Sequence, residues 1–485
     1  MRRAVLAMTA TLSGCAWLHP VDHERPAPVI VPEQFSGGTA TSSVAEGRWW
    51  SAFGDDALDD LEKRAFSHNL DLRRAFLRLE RAMAVLDGAN AAWAPTLDAS
   101  GNISHSQRAF PTGRNPDGSP MFGIVEQNSG QLQLAAGYEL DVFGRIKSST
   151  TAAGFDVVAS RFDVDAMAMS LSAQVAEAWY QLVEQRSVLR LINAQVEANE
   201  TYLELTELRF GEGLATALDV LQQRQQVAGA SAQRPLVRAR VQTLENQLAV
   251  LLGAPPKRIE LARVDTLPQL PPLPAIGVPA DLVRRRPDVR AAEARVVAAD
   301  YRVGAAIAAQ FPALRLDGSI GLQIFSIATF FDGLIRSATA SLLAPIFDGG
   351  RRAADVDAAE ATLEDAVTAY GQTVLVAFQE VEDALAREKR QREYLVEIDR
   401  QADAAKKTLD EALNRYLAGL TEYLQVLTAL RQFQQVEQQQ LSAQRQLISY
   451  RIQLCRSLGG SWMRELERPE LFSAADESTE TKAKP

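Results

Sequence analysis

The sequence predicts a mainly α-helical chain with transmembrane β-strands. Long antiparallel coiled-coil hairpins form a helical barrel that a β-barrel continues, with four strands per chain and an internal two-fold repeat. Three observations predict this. Segments of the first half recur in the second at two fixed shifts, short stretches alternate apolar and polar residues, and the helical stretches are too long for a compact domain.

Composition narrows the classes. The 485 residues are 47% hydrophobic and 23% charged, which excludes disorder as the main state. Fifty-one Lys and Arg against 61 Asp and Glu give a net charge of −10, the wrong sign for displacing counterions from nucleic acid. Four His and two Cys leave no material for zinc clusters or a disulfide framework. The longest charge-free apolar stretches, such as Gly318–Phe331, fall short of the ~20 residues a membrane helix needs. Strands of a β-barrel are short and half apolar, so that architecture stays open.

The N-terminus reads as an address. Arg2 and Arg3 precede the apolar run Ala4–Leu12, and Leu12-Ser13-Gly14-Cys15 closes it. Residues 1–14 are expected to be a signal peptide. The closing tetrad resembles the lipobox of bacterial lipoproteins, which implies cleavage before Cys15 and acylation of it. Ala16 in the next position resembles lipoproteins sorted to the outer membrane. Residues 15–54 then read as anchor and extended tether, with Pro20, Pro26, Pro28 and Pro32 stiffening it. Several acyl chains hold a membrane stably where one does not. Cys455, on an apolar helix, reads as a buried structural thiol.

The repeat divides the rest. One shift lays Asn69-Leu70-Asp71-Leu72-Arg73 over Arg286-Pro287-Asp288-Val289-Arg290, and Pro95, Leu97, Gly101 and Ile103 over Pro312, Leu314, Gly318 and Ile320. A shorter shift then holds without a gap, from Leu140 and Ile346 through Gly213 and Gly419 to Gly253 and Gly459. The difference implies a longer loop in the first copy between about His105 and Ser129, where Pro111, Gly113, Pro116, Gly118 and Pro120 read as an exposed turn region. Repeats are thus expected over 55–254 and 281–460, separated by a proline-rich linker (255–280) and followed by a tail (461–485). Seven of the 21 prolines fall between Pro255 and Pro279, so the linker is read as extended and unfolded.

Each repeat opens with an amphipathic helix, about Asp56–Ala92 and then Asp281–Ala309. β-Hairpins follow at about 96–143 and 313–347. In the first strand Leu97, Ala99, Gly101 and Ile103 alternate with Asp98, Ser100, Asn102 and Ser104. In the second, Leu132, Leu134, Ala136, Tyr138, Leu140 and Val142 alternate with polar or small residues. Leu314 to Leu322 repeat the pattern, and Ala338–Ile346 keep it weakly. A soluble two-sheet sandwich would alternate too, but long helices between two hairpins fit it poorly.

Helical hairpins are expected over 145–253 and 351–459. Arg145–Phe210 holds no proline and would reach ~100 Å at 1.5 Å per residue. Apolar residues recur at three- and four-residue steps, as in Val175, Ala178, Trp179 and Leu182, and the faces between are rich in Gln, Glu and Arg. Those faces read as solvated, on the outside or inside a tube. Four strands cannot close a barrel, and an open edge in lipid would strand its backbone groups. The chain therefore has to oligomerise, with 8, 12 or 16 strands from two, three or four copies.

At Trp49-Trp50-Ser51-Ala52-Phe53-Gly54-Asp55, Asn69-Leu70-Asp71, Asp281 to Asp288 and Phe347-Asp348-Gly349-Gly350-Arg351 the sequence resembles the TolC/OprM-type outer-membrane factors. It is most similar to the lipoprotein (NodT-like) branch that serves resistance-nodulation-division efflux. The resemblance runs from the lipobox to about Trp462. It implies a homotrimer with a 12-stranded barrel in the outer membrane of a Gram-negative bacterium and a helical tunnel in the periplasm. Its partners would be a periplasmic adaptor protein and an inner-membrane pump of that type, which supplies the energy.

The expected sites are not catalytic. Gly213 and Gly419 mark tight reversals at the periplasmic tips. Arg209, Leu214 and Asp219, with Arg415, Tyr416 and Leu420, resemble the family's adaptor-contact and tip motif. Val220, Leu221, Val426 and Leu427 are read as packing the hairpins. By the same resemblance Leu424 takes the place of an apolar ring at the aperture. Thr428 stands where an acidic ring is usual, a departure that puts a cation-sensitive gate in doubt, and Arg431, one turn further on, is read either as tying the closed state to a neighbouring copy or as a solvated side chain. No cofactor or metal is expected beyond the covalent lipid on Cys15.

Rival readings are the duct of a type I protein-secretion system, which shares this fold, and a lipid-anchored periplasmic coiled-coil scaffold, which would carry one hairpin and compact β-domains. An enzyme is disfavoured. His19 and His23 sit in the tether, His68 and His105 have no partners at catalytic spacing, and Asp59-Asp60 and Glu382-Asp383 fall on charged helix faces.

Overall fold

The computed structural model describes residues 19, 29, 30, 32, 34, 35, 47–256, 260–274, 279–324, 333–460 and 462–469. Cys15 lies outside them. The chain divides into two compact units. One comprises Met1–Pro26, Glu80–Ala159 and Glu293–Ala369; the other comprises Ala27–Leu79, Ser160–Ala292 and Tyr370–Pro485.

The first unit holds an antiparallel sheet in the order β1-β2-β3-β4, with β1 at Thr96–Arg114, β2 at Pro120–Leu140, β3 at Ala313–Ile324 and β4 at Leu334–Leu343. Its register carries the alternation across all four strands. Leu97 pairs with Ala136, and Ala136 with Gly318; Leu134 pairs with Ala99 and Ile320. The opposite face aligns Asp98, Ala135, Ser319 and Ser337, with a 2.7 Å hydroxyl contact between the two serines. Leu97, Ile103, Leu132, Leu134 and Leu342 on the apolar face are all exposed.

The loop expected between His105 and Ser129 is strand instead. β1 continues to Arg114 and β2 starts at Pro120, with a turn closed by Asn115 N donating to Ser119 O at 2.8 Å. The prolines and glycines that signalled a loop sit where a hairpin tolerates them. Pro111 lies at a register shift and Pro120 at the first residue of β2. Polar pairs face each other along the extension: Ser104 with Ser129, His105 with Asn128, and Gln107 with Glu126. β2 stops at Leu140, short of Val142, because Asp141 turns to accept from the amides of Ile146 and Lys147. β4 likewise ends at Leu343 rather than Ile346.

Each expected opening helix is two. The first splits into α1 (Asp56–His68) and α2 (Leu70–Asn90). Asn69 between them has extended ψ 127°, caps α2 by accepting from Leu72 N at 2.8 Å, and donates to Leu251 O at 2.9 Å. The second splits into α5 (Pro279–Arg285) and α6 (Pro287–Ala308), because Pro287 excludes helical geometry at Arg286 and brings no N–H. Arg286 is buried there and bonds Asp288, Glu380 and the Ser457 carbonyl. The Arg-Pro-Asp run thus joins three segments of the second unit.

Between these lie α3 (Arg145–Gly211) and α4 (Ala217–Leu251), then α7 (Arg351–Leu417) and α8 (Tyr423–Leu458); α3 and α7 have 67 residues each. The main core of the second unit gathers Trp50, Leu58, Leu72, Trp179, Tyr180, Leu248 and Ile452. Asp55 caps α1 with one carboxylate oxygen and accepts from Trp179 Nε1 at 2.8 Å with the other. Trp50 meets Trp462 edge-on at 4.7 Å.

Residues 260–274 carry no helix or strand, yet they are not a free linker. Leu261, Val264, Leu267 and Leu270 pack on the core. Arg451, wholly buried and paired with Glu388 at 2.5 Å, donates to the carbonyls of Pro271 and Pro272. Prolines keep this segment extended, and side chains from the helices satisfy the carbonyls it cannot bond itself. Cys455, on α8, is half-buried rather than fully buried, and desolvation pushes its thiol up to about 12, in keeping with an inert thiol.

Candidate functional site

Both helix reversals are built the same way. Gly213 (φ 74°) and Gly419 (φ 72°) sit in the left-handed region, where a side chain would be strained. Around Gly213, its amide bonds Phe210 O at 3.0 Å and that of Leu214 bonds Arg209 O at 2.8 Å. Around Gly419 the partners are Tyr416 O at 3.0 Å and, from Leu420, Arg415 O at 2.9 Å. Each is the paired capping pattern that satisfies the last carbonyls of a helix.

The helices that return differ in their starts. Thr216 and Asp219 form a full capping box on α4: the Asp219 amide donates to Thr216 Oγ1 at 3.2 Å and the Thr216 amide to Asp219 Oδ2 at 2.8 Å. Glu422, at the start of α8, makes no side-chain cap. Asp219 therefore organises the start of α4 with both its amide and its carboxylate, which accepts from the Thr216 amide and hydroxyl.

Arg209 ties the two turns together. Its guanidinium lies over the Tyr416 ring at 4.6 Å and donates to the Tyr416 carbonyl at 3.3 Å. Tyr416 is buried and packs edge-on against Tyr423 at 5.2 Å. Burial raises both phenols, Tyr423 to about 12. Arg415 points outward and pairs with Glu411 at 2.8 Å along its own helix, so it takes no part in this join.

Val220, Val426 and Leu427 are buried, as hairpin packing requires, but Leu221 is exposed. The repeat pairs Leu221 with Leu427, and only the second-copy position turns inward. Leu208, Phe210, Leu214, Leu218, Leu417 and Leu420 are exposed around the turns, Leu420 at 77%. Leu208, Phe210, Leu218 and Leu417 escaped the sequence reading because helical periodicity alone does not tell an inward from an outward apolar stripe.

Leu424, Thr428 and Arg431 are exposed on one face of α8, spaced by four and three residues. Thr428 Oγ1 donates to the Leu424 carbonyl at 2.8 Å, so the hydroxyl is engaged within its own helix. Arg431 Nε donates to Gln226 Oε1 on α4 at 2.8 Å, a tie within the chain. No group of three or more metal-binding side chains occurs among the described residues.

Comparison with known proteins bears on this geometry. The model of the family described as "Outer membrane efflux protein" matches residues 61–254 and 278–460. Among curated proteins, the outer membrane protein OprJ of Pseudomonas aeruginosa is 33% identical over 470 residues, covering 95% of each chain. The pyoverdine export outer membrane protein OpmQ of Pseudomonas putida is 31% identical over 439 residues, covering 90% of this chain and 93% of OpmQ. The solved structure of the outer-membrane channel OprN superposes with a TM-score of 0.82 at 28% identity, covering 90% of this chain and 98% of OprN.

Proposed function

The chain belongs to the outer membrane efflux protein family, and on that premise we propose that it is the exit duct of a tripartite efflux system. It acts as a homotrimer in the outer membrane of a Gram-negative bacterium, anchored through lipid on Cys15, with its helical hairpins forming a tunnel in the periplasm. A periplasmic adaptor meets the turns, and an inner-membrane pump of the resistance-nodulation-division type supplies the energy.

One observation carries this reading: a four-stranded sheet with an exposed apolar face and two edge strands, β1 and β4, that have no outer partner in the sheet order. Lipid tolerates neither an open edge nor an unpaired backbone, so copies have to close the ring. β3 and β4, with 12 and 10 residues, match the ~9–11 residues of a tilted membrane strand. Three sheets give 12 strands, and the polar face of Asp98, Ser319 and Ser337 then lines water. The same order of helices and strands in each half, with two strands in each, supports an internal two-fold repeat with four strands per chain.

The chain's part is passive. Leu214, Leu420 and the neighbouring exposed side chains at the turns offer the adaptor an apolar surface. Three copies of Leu424 narrow the aperture, and a hydrophobic constriction of that kind closes by shedding water. Thr428 contributes no fixed charge there.

The purified full-length protein in a planar bilayer tests this reading. Stepwise ionic currents, raised by Leu424→Ser, are expected; absence of any current would sink it. Cys15→Ala is expected to keep the fold and lose fatty-acid label and membrane retention.

A further inference from the structure

The glutamine-rich helix faces, whose composition reads as solvated, meet one another inside the second unit. Gln195 and Asn199 stand one turn apart on α3, Gln223 and Gln226 on α4, and Gln434 and Gln438 on α8. Gln434 Nε2 donates to Asn199 Oδ1 at 3.1 Å, and Gln434 Oε1 accepts from Gln226 Nε2 at 3.1 Å. Gln223 Nε2 donates to the Asn199 carbonyl at 2.7 Å, and its Oε1 accepts from the Tyr423 hydroxyl at 2.7 Å. One turn further from the reversals, Gln195 Nε2 donates to the Gln434 carbonyl at 3.2 Å and to Glu437 Oε2 at 3.0 Å. Its Oε1 accepts from Gln438 Nε2 at 3.2 Å. Asn199, Gln223 and Gln434 are all buried.

Leucine seams let helices slide, because dispersion contacts have little direction. Buried amides do not, since a shift of a few ångström leaves donors and acceptors facing nothing. A single polar residue in a coiled-coil core is enough to select one register, and here several lie on three helices. α8 is the helix that carries Leu424 and Thr428, within three turns of Gln434. We propose that this amide ladder is a positioning device for the aperture: it fixes the axial register of α8 on α3 and α4, and so the place of Leu424 and Thr428. Arg431 extends the ladder through its bond to Gln226. Asn199 Nδ2 is buried without a partner among the described residues, a donor still open to a shifted α8. The proposal rests on the reading of α8 as the helix at the aperture of a channel.

The test uses the full-length protein in planar bilayers and in detergent. Gln434→Leu is expected to replace a single resting conductance level with several, and to raise amide hydrogen exchange over residues 423–438 while exchange in the sheet stays as in the parent. The reciprocal swap, Asn199→Gln with Gln434→Asn, keeps the combined side-chain length and is expected to restore the single level. A Gln434→Leu channel with the parent's levels and dwell times would overturn the proposal, even if its melting temperature fell, because the ladder would then be structural only. Should the parent pass no current, the channel reading fails by itself. The ladder is then judged by exchange, and unchanged protection over 423–438 overturns it.

Discussion

The guanidinium of Arg209 lies 4.6 Å from the centre of the Tyr416 ring and donates to the carbonyl of the same residue. One side chain from the first helix reversal thereby holds the last turn before the second, and the two reversals form one structural piece. A cation over a partly desolvated ring contributes about 0.5–2 kcal/mol. Arg209→Ala is expected to loosen α7 near Tyr416, read as faster amide exchange over residues 412–417. Arg209→Lys keeps the charge but loses the planar fork, so it should recover only part of that protection. Equal exchange in all three proteins would remove Arg209 from this role.

The capping box gives a second prediction. Thr216→Ala removes a side-chain acceptor from the first turn of α4 and is expected to cost about 1 kcal/mol locally. That change brings the first reversal to the state of the second, where Glu422 makes no cap. Exchange over residues 217–221 should rise toward the rate over 423–427, and an unaltered rate would show that the neighbouring helices alone hold this end.

Thr428 supplies a gain-of-function prediction. Thr428 stands where the family resemblance implies an acid, so on the proposed reading the conductance of the parent should respond weakly to millimolar divalent or hexammine cations. In the proposed trimer, Thr428→Asp brings three carboxylates to the proposed aperture and is expected to confer block by such cations. No block in the variant would place the constriction elsewhere on α8.

Glu62 gives a pH prediction. Its carboxylate is fully buried in α1, and neither oxygen has a partner among the described residues. Burial, and next the negative charge of Asp59, hold its pKa well above the usual carboxylate range. The folded state therefore keeps a proton that the unfolded chain releases above about pH 4.3. The stability linked to this group is complete below that pH and is lost as pH rises through the raised folded value. Glu62→Gln should lessen the fall in melting temperature between pH 5 and pH 8. An identical pH profile in the variant would contradict the assignment.

The legible parts of the sequence were those with strict geometric demands. Gly213 and Gly419 must hold left-handed backbone, and Leu97 to Ile103 alternate because one face of the sheet differs from the other. Asn69 is legible as a motif residue, but the break it makes between α1 and α2 is not, because apolar residues continue on both sides and its bond to the Leu251 carbonyl depends on a residue far along the chain. The extended hairpin was hidden because Ser104–Ser129 and Gln107–Glu126 pair polar with polar, which leaves no alternation to detect. Leu221 and Leu427 hold equivalent positions but opposite exposures: Leu427 packs in a cluster with Leu409, Tyr416 and Tyr423, and Leu221 is exposed. The glutamines read as surface because composition cannot tell an amide facing water from one facing another amide.

Negative-stain electron microscopy of the detergent-extracted, full-length protein, scored for rotational symmetry and particle length, tests whether the chain builds a trimeric duct. A trimeric duct gives a three-fold particle longer than ~100 Å, the reach of a 67-residue helix at 1.5 Å per residue, with a barrel-width end. A compact particle, or one with a single hairpin and no three-fold axis, would contradict the duct.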